Sequence, residues 1–175
     1  MRSVRLLSFA AALLMVAGCD DDPLNSDRGP DQPPPPAEGI QAYLQVDNDQ
    51  ARPGDEVHVW VNVQLAAGSE LKSGSYTGRV TFDPEMLSHR ESPEINDGLR
   101  VINPNGAPTG EIRFAGAAAR GFEDLTVFHG VFEVKDADYL TDLELLMEEL
   151  SAATTLTDLQ PQLQVTPQIF LRRSN

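Results

Sequence analysis

At 175 residues the chain has the length of about one domain. Thirteen lysines and arginines stand against 27 aspartates and glutamates, a formal charge of −14. That balance argues against nucleic-acid binding, because neutralising phosphates needs clustered cations. Hydrophobic residues, 41% of the total, suffice for one core and fall short of a polytopic membrane protein. The single cysteine, Cys19, excludes an intrachain disulfide and any cysteine-based zinc cluster.

The chain opens with an address. Arg2 and Arg5 precede an apolar run over residues 6–16, the length of a signal-peptide core and too short to span a bilayer as a helix. Val16-Ala17-Gly18-Cys19 then resembles the lipobox of bacterial lipoproteins: an aliphatic residue, two small residues and a cysteine. The resemblance implies cleavage after residue 18, a diacylglyceryl group on the Cys19 thiol and an acylated new amine. Several acyl chains on one residue anchor a protein firmly, whereas one chain gives only marginal binding. The bland alternative is an ordinary cleaved signal peptide with a chance cysteine. Asp20 resembles the inner-membrane retention signal of enteric bacteria, a rule that other phyla do not follow. The choice of membrane is therefore open, with the outer membrane or cell surface preferred.

Residues 19–38 follow as a tether. From Asp20 the sequence DDDPLNSDRGPDQPPPPAE has five aspartates, six prolines and almost nothing apolar. Such a segment cannot bury enough surface to offset its ordering entropy, so disorder is expected. Residues 33–36, all proline, favour extended polyproline geometry. A polyproline ligand is conceivable in principle, but a spacer is the simpler reading.

Residues 39–175 read as one domain. Ala42, Leu44 and Val46 alternate with Tyr43 and Gln45, a first strand. Arg52-Pro53-Gly54-Asp55 is a turn. Val57, Val59, Val61, Val63 and Leu65 then alternate with His58, Trp60, Asn62 and Gln64, the period of a strand with one buried face. Over residues 75–82, Tyr76, Val80 and Phe82 share one side, and Thr77, Arg79 and Thr81 the other; Asp83-Pro84 stops the strand. Residues 99–102, 111–117, 125–134 and 162–171 are further strand candidates, separated by Gly/Pro/Asn punctuation. Residues 139–150, YLTDLELLMEEL, fit a helix through Leu140, Leu143, Met147 and Leu150, and a strand through Leu143, Leu145 and Met147. Propensity favours the helix; the strand-rich surroundings favour a strand, which is the reading adopted. Seven to nine short strands predict an all-β sandwich.

The order of motifs resembles the cohesin module. Arg52-Pro53-Gly54-Asp55 leads into the valine strand, Phe82-Asp83-Pro84-Glu85-Met86-Leu87 forms an aromatic-Asp-Pro corner, and Gly110-Glu111-Ile112-Arg113-Phe114 gives a Gly-x-Ile-x-Phe strand. Strands over 128–134 and 143–150 complete the series. Phe82 stands where the family usually has tyrosine. The resemblance implies a nine-stranded jelly-roll β-sandwich, related to certain carbohydrate-binding modules, that binds the dockerin of a partner protein through one flat sheet face. By strand position that face includes Thr77, Arg79, Thr81, Glu111 and Arg113; the alternative for each is an ordinary exposed strand residue.

Catalytic motifs are absent: there is no nucleophile elbow, P-loop, H-E-x-x-H or paired metal-ligand spacing, and no cofactor or metal is expected. Asp47-Asn48-Asp49 begins like a calcium loop, but Ala51 occupies the third ligand position. His58, His89 and His129 lie far apart in sequence; convergence in space stays open as the alternative to the reading adopted, in which His58 and His129 stand at solvated outward positions. Trp60, the only tryptophan, stands on the polar side of its strand and invites a sugar-stacking reading; packing beneath a loop or rim is the alternative. Three functions stay open: protein recognition first, then polysaccharide binding through Trp60, then a structural role in an envelope assembly.

Overall fold

The computed structural model describes residues 32–123, 126–135, 141–166 and 168–171. The predicted signal peptide, Cys19 and most of the tether lie outside these residues. Among the described residues ten strand segments follow one another: β1 (Ile40–Val46), β2 (Glu56–Leu65), β3 (Ser73–Thr81), β4 (Leu87–Glu91), β5 (Leu99–Asn103), β6 (Glu111–Ala117), β7 (Thr126–Val134), β8 (Thr141–Ala152), β9 (Leu163–Thr166) and β10 (Gln168–Leu171). They form two five-stranded sheets, ordered β4-β7-β2-β1-β9 and β10-β8-β3-β6-β5. All the pairings are antiparallel except β1 with β9. One residue separates β9 from β10, and the two belong to opposite sheets. Counted as one strand that changes sheet, the tail brings the total to nine. The fold is the all-β two-sheet sandwich that the strand pattern predicts.

The alternating valines do what their period requires. Val57, Val59 and Val61 are fully buried between the sheets, facing Tyr76 and Val80 of β3, Ile112 and Phe114 of β6, and Leu143 and Leu145 of β8. Aromatic rings fill the middle, with Phe114 and Phe128 centroids 5.4 Å apart and Phe82 edge-on to Phe132 at 5.1 Å. Each buried aromatic removes a large apolar surface from water, the main favourable contribution to such a core.

Residues 139–150 resolve toward the strand: β8 lies between β3 and β10. Its pairing with β3 places Leu145 opposite Val80 and Leu150 opposite Tyr76. Residues 139 and 140 lie outside the description. Burial of one side in the centre of a sheet overrides a weak helical preference. Two boundaries differ from the sequence reading. β3 starts at Ser73, and β4 follows the Asp-Pro corner as a short edge strand in which Leu87 is the only fully buried residue. A single inward side chain gives no periodic signal to read.

The chain meets the sandwich ahead of Gly39. The Gln64 side-chain amide donates to the Pro33 carbonyl at 3.0 Å, and the Ala67 N–H to that of Pro36 at 3.4 Å. Residues 33–36 thus run beside the end of β2, on the outward side of the β4-β7-β2-β1-β9 sheet.

Candidate functional site

The outward side of β10-β8-β3-β6-β5 gathers every strand residue predicted for the binding face. On β3, Ser75, Thr77, Arg79 and Thr81 alternate outward between buried Tyr76, Gly78 and Val80. On β6, Glu111 and Arg113 point the same way, flanking buried Ile112. The register sets Arg79 opposite Arg113 and Thr81 opposite Glu111.

Across the strands the face divides in two. One half is apolar: Leu99 pairs with Ala117 and Val101 with Ala115, and the two aliphatics on β5 are 68% and 58% exposed. The other half is charged. The Arg113 Nε donates to Glu111 Oε1 at 2.8 Å, while Arg79 Nη1 lies 3.6 Å from Glu111 Oε2 and 3.6 Å from Glu148 Oε1. The hydrogen bond from Arg113 is the main reason that the Glu111 carboxyl is held below the usual carboxylate range; the Arg113 guanidinium is raised in turn. Exposed pairs of this kind contribute little stability, so their effect is to fix side-chain positions and a charge pattern. Leu146 of β8, 45% exposed, sits opposite Arg79 amid this network.

The sequence reading missed the contributions of β5 and β8. The alternation of β8 was readable in outline; on β5 the aliphatics face outward and Arg100 inward, the reverse of what the period suggests. On β8 the outward set is Glu144, Leu146, Glu148 and Glu149. Their membership of this face depends on which strands are neighbours, and a sequence does not state that.

Trp60 lies on the opposite sheet and does not stand free. Its ring stacks on His129 at 4.9 Å and on His58 at 5.6 Å, and His58 Nδ1 is 2.9 Å from His129 Nε2. His58 and His129 do stand at outward positions, but they pack together instead of being solvated, because β2 and β7 are adjacent with Trp60 opposite His129. Both rings are partly buried. His89 is elsewhere, bonded to Ser92 at 2.9 Å and edge-on to Phe132.

Burial, reinforced by the charge of His58 and partly opposed by Asp47, pushes the His129 pKa down to about 4. In the unfolded chain an imidazole titrates near 6.5. Between those values the unfolded chain takes up a proton that the native state refuses. Stability should therefore fall as pH drops from about 6.5 to about 4, and this contribution should level off below that. Burial lowers His89 as well, with the same sign. Thermal melts across that range should show a smaller pH slope for His129→Gln than for the parent. An unchanged slope would remove His129 as a contributor.

Comparison by sequence finds no protein-family model and no curated protein that matches this chain. Comparison of folds does. The sixth cohesin of scaffoldin B from Acetivibrio cellulolyticus, crystallised in complex with a mutant dockerin, superposes with a TM-score of 0.61 at 16% identity, covering 78% of this chain and 99% of that one. A non-cellulosomal cohesin from the archaeon Archaeoglobus fulgidus gives 0.61 and 16% over 78% of this chain and 92% of its own. A cohesin module from a family 33 glycoside hydrolase of Clostridium perfringens gives 0.55 and 12% over 76% and 96%. The chain is thus similar in fold to cohesins across nearly their whole length. At such identities the likeness concerns the fold.

Proposed function

We propose that this chain is an extracytoplasmic binding module, held to a membrane by lipid on Cys19, that docks a protein partner on the outward face of β8, β3, β6 and β5. One observation carries the reading: Leu99, Val101 and Leu146 stand exposed on the sheet face where Arg79, Arg113, Glu111 and Glu148 form a charged network. An aliphatic edge strand left open to water is an aggregation hazard unless something covers it. Apolar anchors beside a polar rim are the anatomy of a protein–protein interface. The cohesins of similar fold include one crystallised with a dockerin, which supports recognition of a protein. Glu111, Glu144, Glu148 and Glu149 outnumber Arg79 and Arg113, so the complementary surface should carry excess positive charge.

The test is affinity capture from the envelope and secreted fractions of the source cells. It compares the parent with a Leu99→Arg, Val101→Arg double variant. A partner held by the parent and lost from the variant is the expected outcome. A partner retained equally by both would place the interface elsewhere. Anchoring is tested separately. Cys19→Ser should move the protein from the membrane pellet to the soluble fraction, and mass spectrometry of the parent should show a modified residue 19 at the new N-terminus. An unmodified thiol and an intact start would end that part of the reading.

A further inference from the structure

The pair His58 and His129 satisfies neither the core nor the docking face just described. It lies on the outward side of the other sheet, on its central strands β2 and β7. Two imidazole nitrogens, His58 Nδ1 and His129 Nε2, converge to 2.9 Å from positions 71 residues apart in sequence. On one tetrahedral zinc, with bonds of about 2.0–2.1 Å, two such nitrogens would be about 3.3 Å apart; at right angles on copper or nickel they would be about 2.9 Å apart. The spacing is therefore that of two adjacent ligands on one metal ion, once the shared proton shifts to the far nitrogen of its own ring and the rings turn their lone pairs to a common point.

The surroundings favour this use. Strands hold side chains more rigidly than loops do, and Trp60 stacks on both imidazoles, which keeps the two rings side by side. Asp47 stands beside the pair: its Oδ1 accepts from the His58 backbone N–H at 2.9 Å, and its charge reaches His129. A carboxylate there adds the negative field that a divalent cation needs. Among the described residues no group of three or more His, Cys, Asp or Glu side chains is placed to hold a metal. Positions on the ion not taken by these two imidazoles are open to water or to an outside ligand.

We propose that His58 and His129 form a two-imidazole site for a nitrogen-seeking divalent metal, copper before nickel or zinc in strength. Each ring binds as a neutral imidazole, the proton between them shifting to the far nitrogen of its own ring, so there is no net proton release and no change of oxidation state. The site is independent of the docking face and of anchoring at Cys19, so its failure would leave the proposed function untouched.

Trp60 makes the test direct, because the chain has a single tryptophan and it touches both ligands. The purified full chain, with Cys19→Ser so that the thiol does not compete, is titrated with copper(II) chloride at pH 7.5. The expected result is saturable, chelator-reversible quenching of Trp60 emission. His58→Asn and His129→Asn should each weaken the apparent affinity by about ten-fold or more. Electron paramagnetic resonance of the copper-loaded parent should show coupling to two imidazole nitrogens, and to one in each variant. Circular dichroism without metal checks that the variants keep the fold; should either not, the nitrogen coupling in the parent decides alone. Linear, non-saturating quenching, quenching equal in parent and variants, or a spectrum without imidazole nitrogens would overturn the proposal.

Discussion

Replacing Arg100 by alanine is expected to lower stability by about 3–5 kcal/mol, read as an earlier midpoint in urea with an unchanged slope. Arg100 belongs to the edge strand β5, yet unlike Leu99 and Val101 it points inward, and its side chain is 8% exposed. Its Nε donates to the Asp97 carbonyl at 2.7 Å, and Nη1 donates to Tyr76 Oη at 3.0 Å and to the Thr126 carbonyl. The guanidinium lies 4.6 Å from the Phe122 ring centre and 5.9 Å from that of Tyr76. Tyr76 Oη in turn donates to the Val127 carbonyl at 3.0 Å. One cation thus ties β5 and β3 in one sheet to β7 in the other, and closes the side of the sandwich where the sheets would part. Hydrogen bonds from a charged donor contribute more than neutral ones, and a buried carbonyl that loses its donor bears its desolvation cost. Arg100→Lys should recover little, since a single ammonium cannot reach Asp97 and Thr126 together while stacked on a ring. A loss under about 1 kcal/mol for the alanine variant would mean that the sheets hold together without this link.

Nothing in the sequence marks Arg100 for that role. It alternates with Leu99 and Val101, so period alone would set Arg100 on the solvent side and the aliphatics inside. The structure reverses them. β5 is an edge strand over the sandwich's open side, where a long side chain can put a charged head among carbonyls and rings. The valines of β2 were readable because a central strand gives each sheet face a single environment. The helix-like spacing in residues 139–150 has a comparable cause. β8 shifts register against Thr77 and Gly78 of β3. Leu143, Leu145 and Met147 keep period two, and the bulge then places Glu148 and Glu149 both outward before Leu150 turns in. An extra residue in one strand converts two-residue spacing into three and mimics a helical turn. On the candidate face, Thr77, Arg79, Thr81, Glu111 and Arg113 were grouped by the motif resemblance, and they share one outward face because β3 and β6 are neighbours in the sheet although β4 and β5 lie between them in sequence. The pairing of His129 with Trp60 was not legible, because register between distant strands is set by the whole core.

Gly110→Ala is expected to cost about 3 kcal/mol or more, and the reason lies in two motifs that the sequence shows separately. Gly110 ends the 3-10 segment Pro104–Thr109 with φ of 81°, a left-handed backbone that alanine adopts at a cost of roughly 1–2 kcal/mol. It also lies against the Asp-Pro corner. Its carbonyl accepts from the Phe82 N–H at 2.9 Å, and a Cβ added at Gly110 would stand 2.1 Å from the Phe82 carbonyl oxygen and 3.0 Å from Pro84 Cδ. A backbone oxygen cannot swing aside as a flexible side chain can, so the strand ends themselves would have to separate. The glycine that opens the Gly-x-Ile-x-Phe strand and the aromatic-Asp-Pro corner are therefore two sides of one contact, which joins β3 to β6 where Thr81 meets Glu111. Gly54→Ala is the control: its φ is 90°, but no atom lies within 4 Å of the added Cβ. It should cost only the conformational part, about 1–2 kcal/mol. Chemical denaturation of both variants measures the difference. A loss at Gly110 no larger than at Gly54 would show that the corner tolerates separation and that close approach is not what the motif requires.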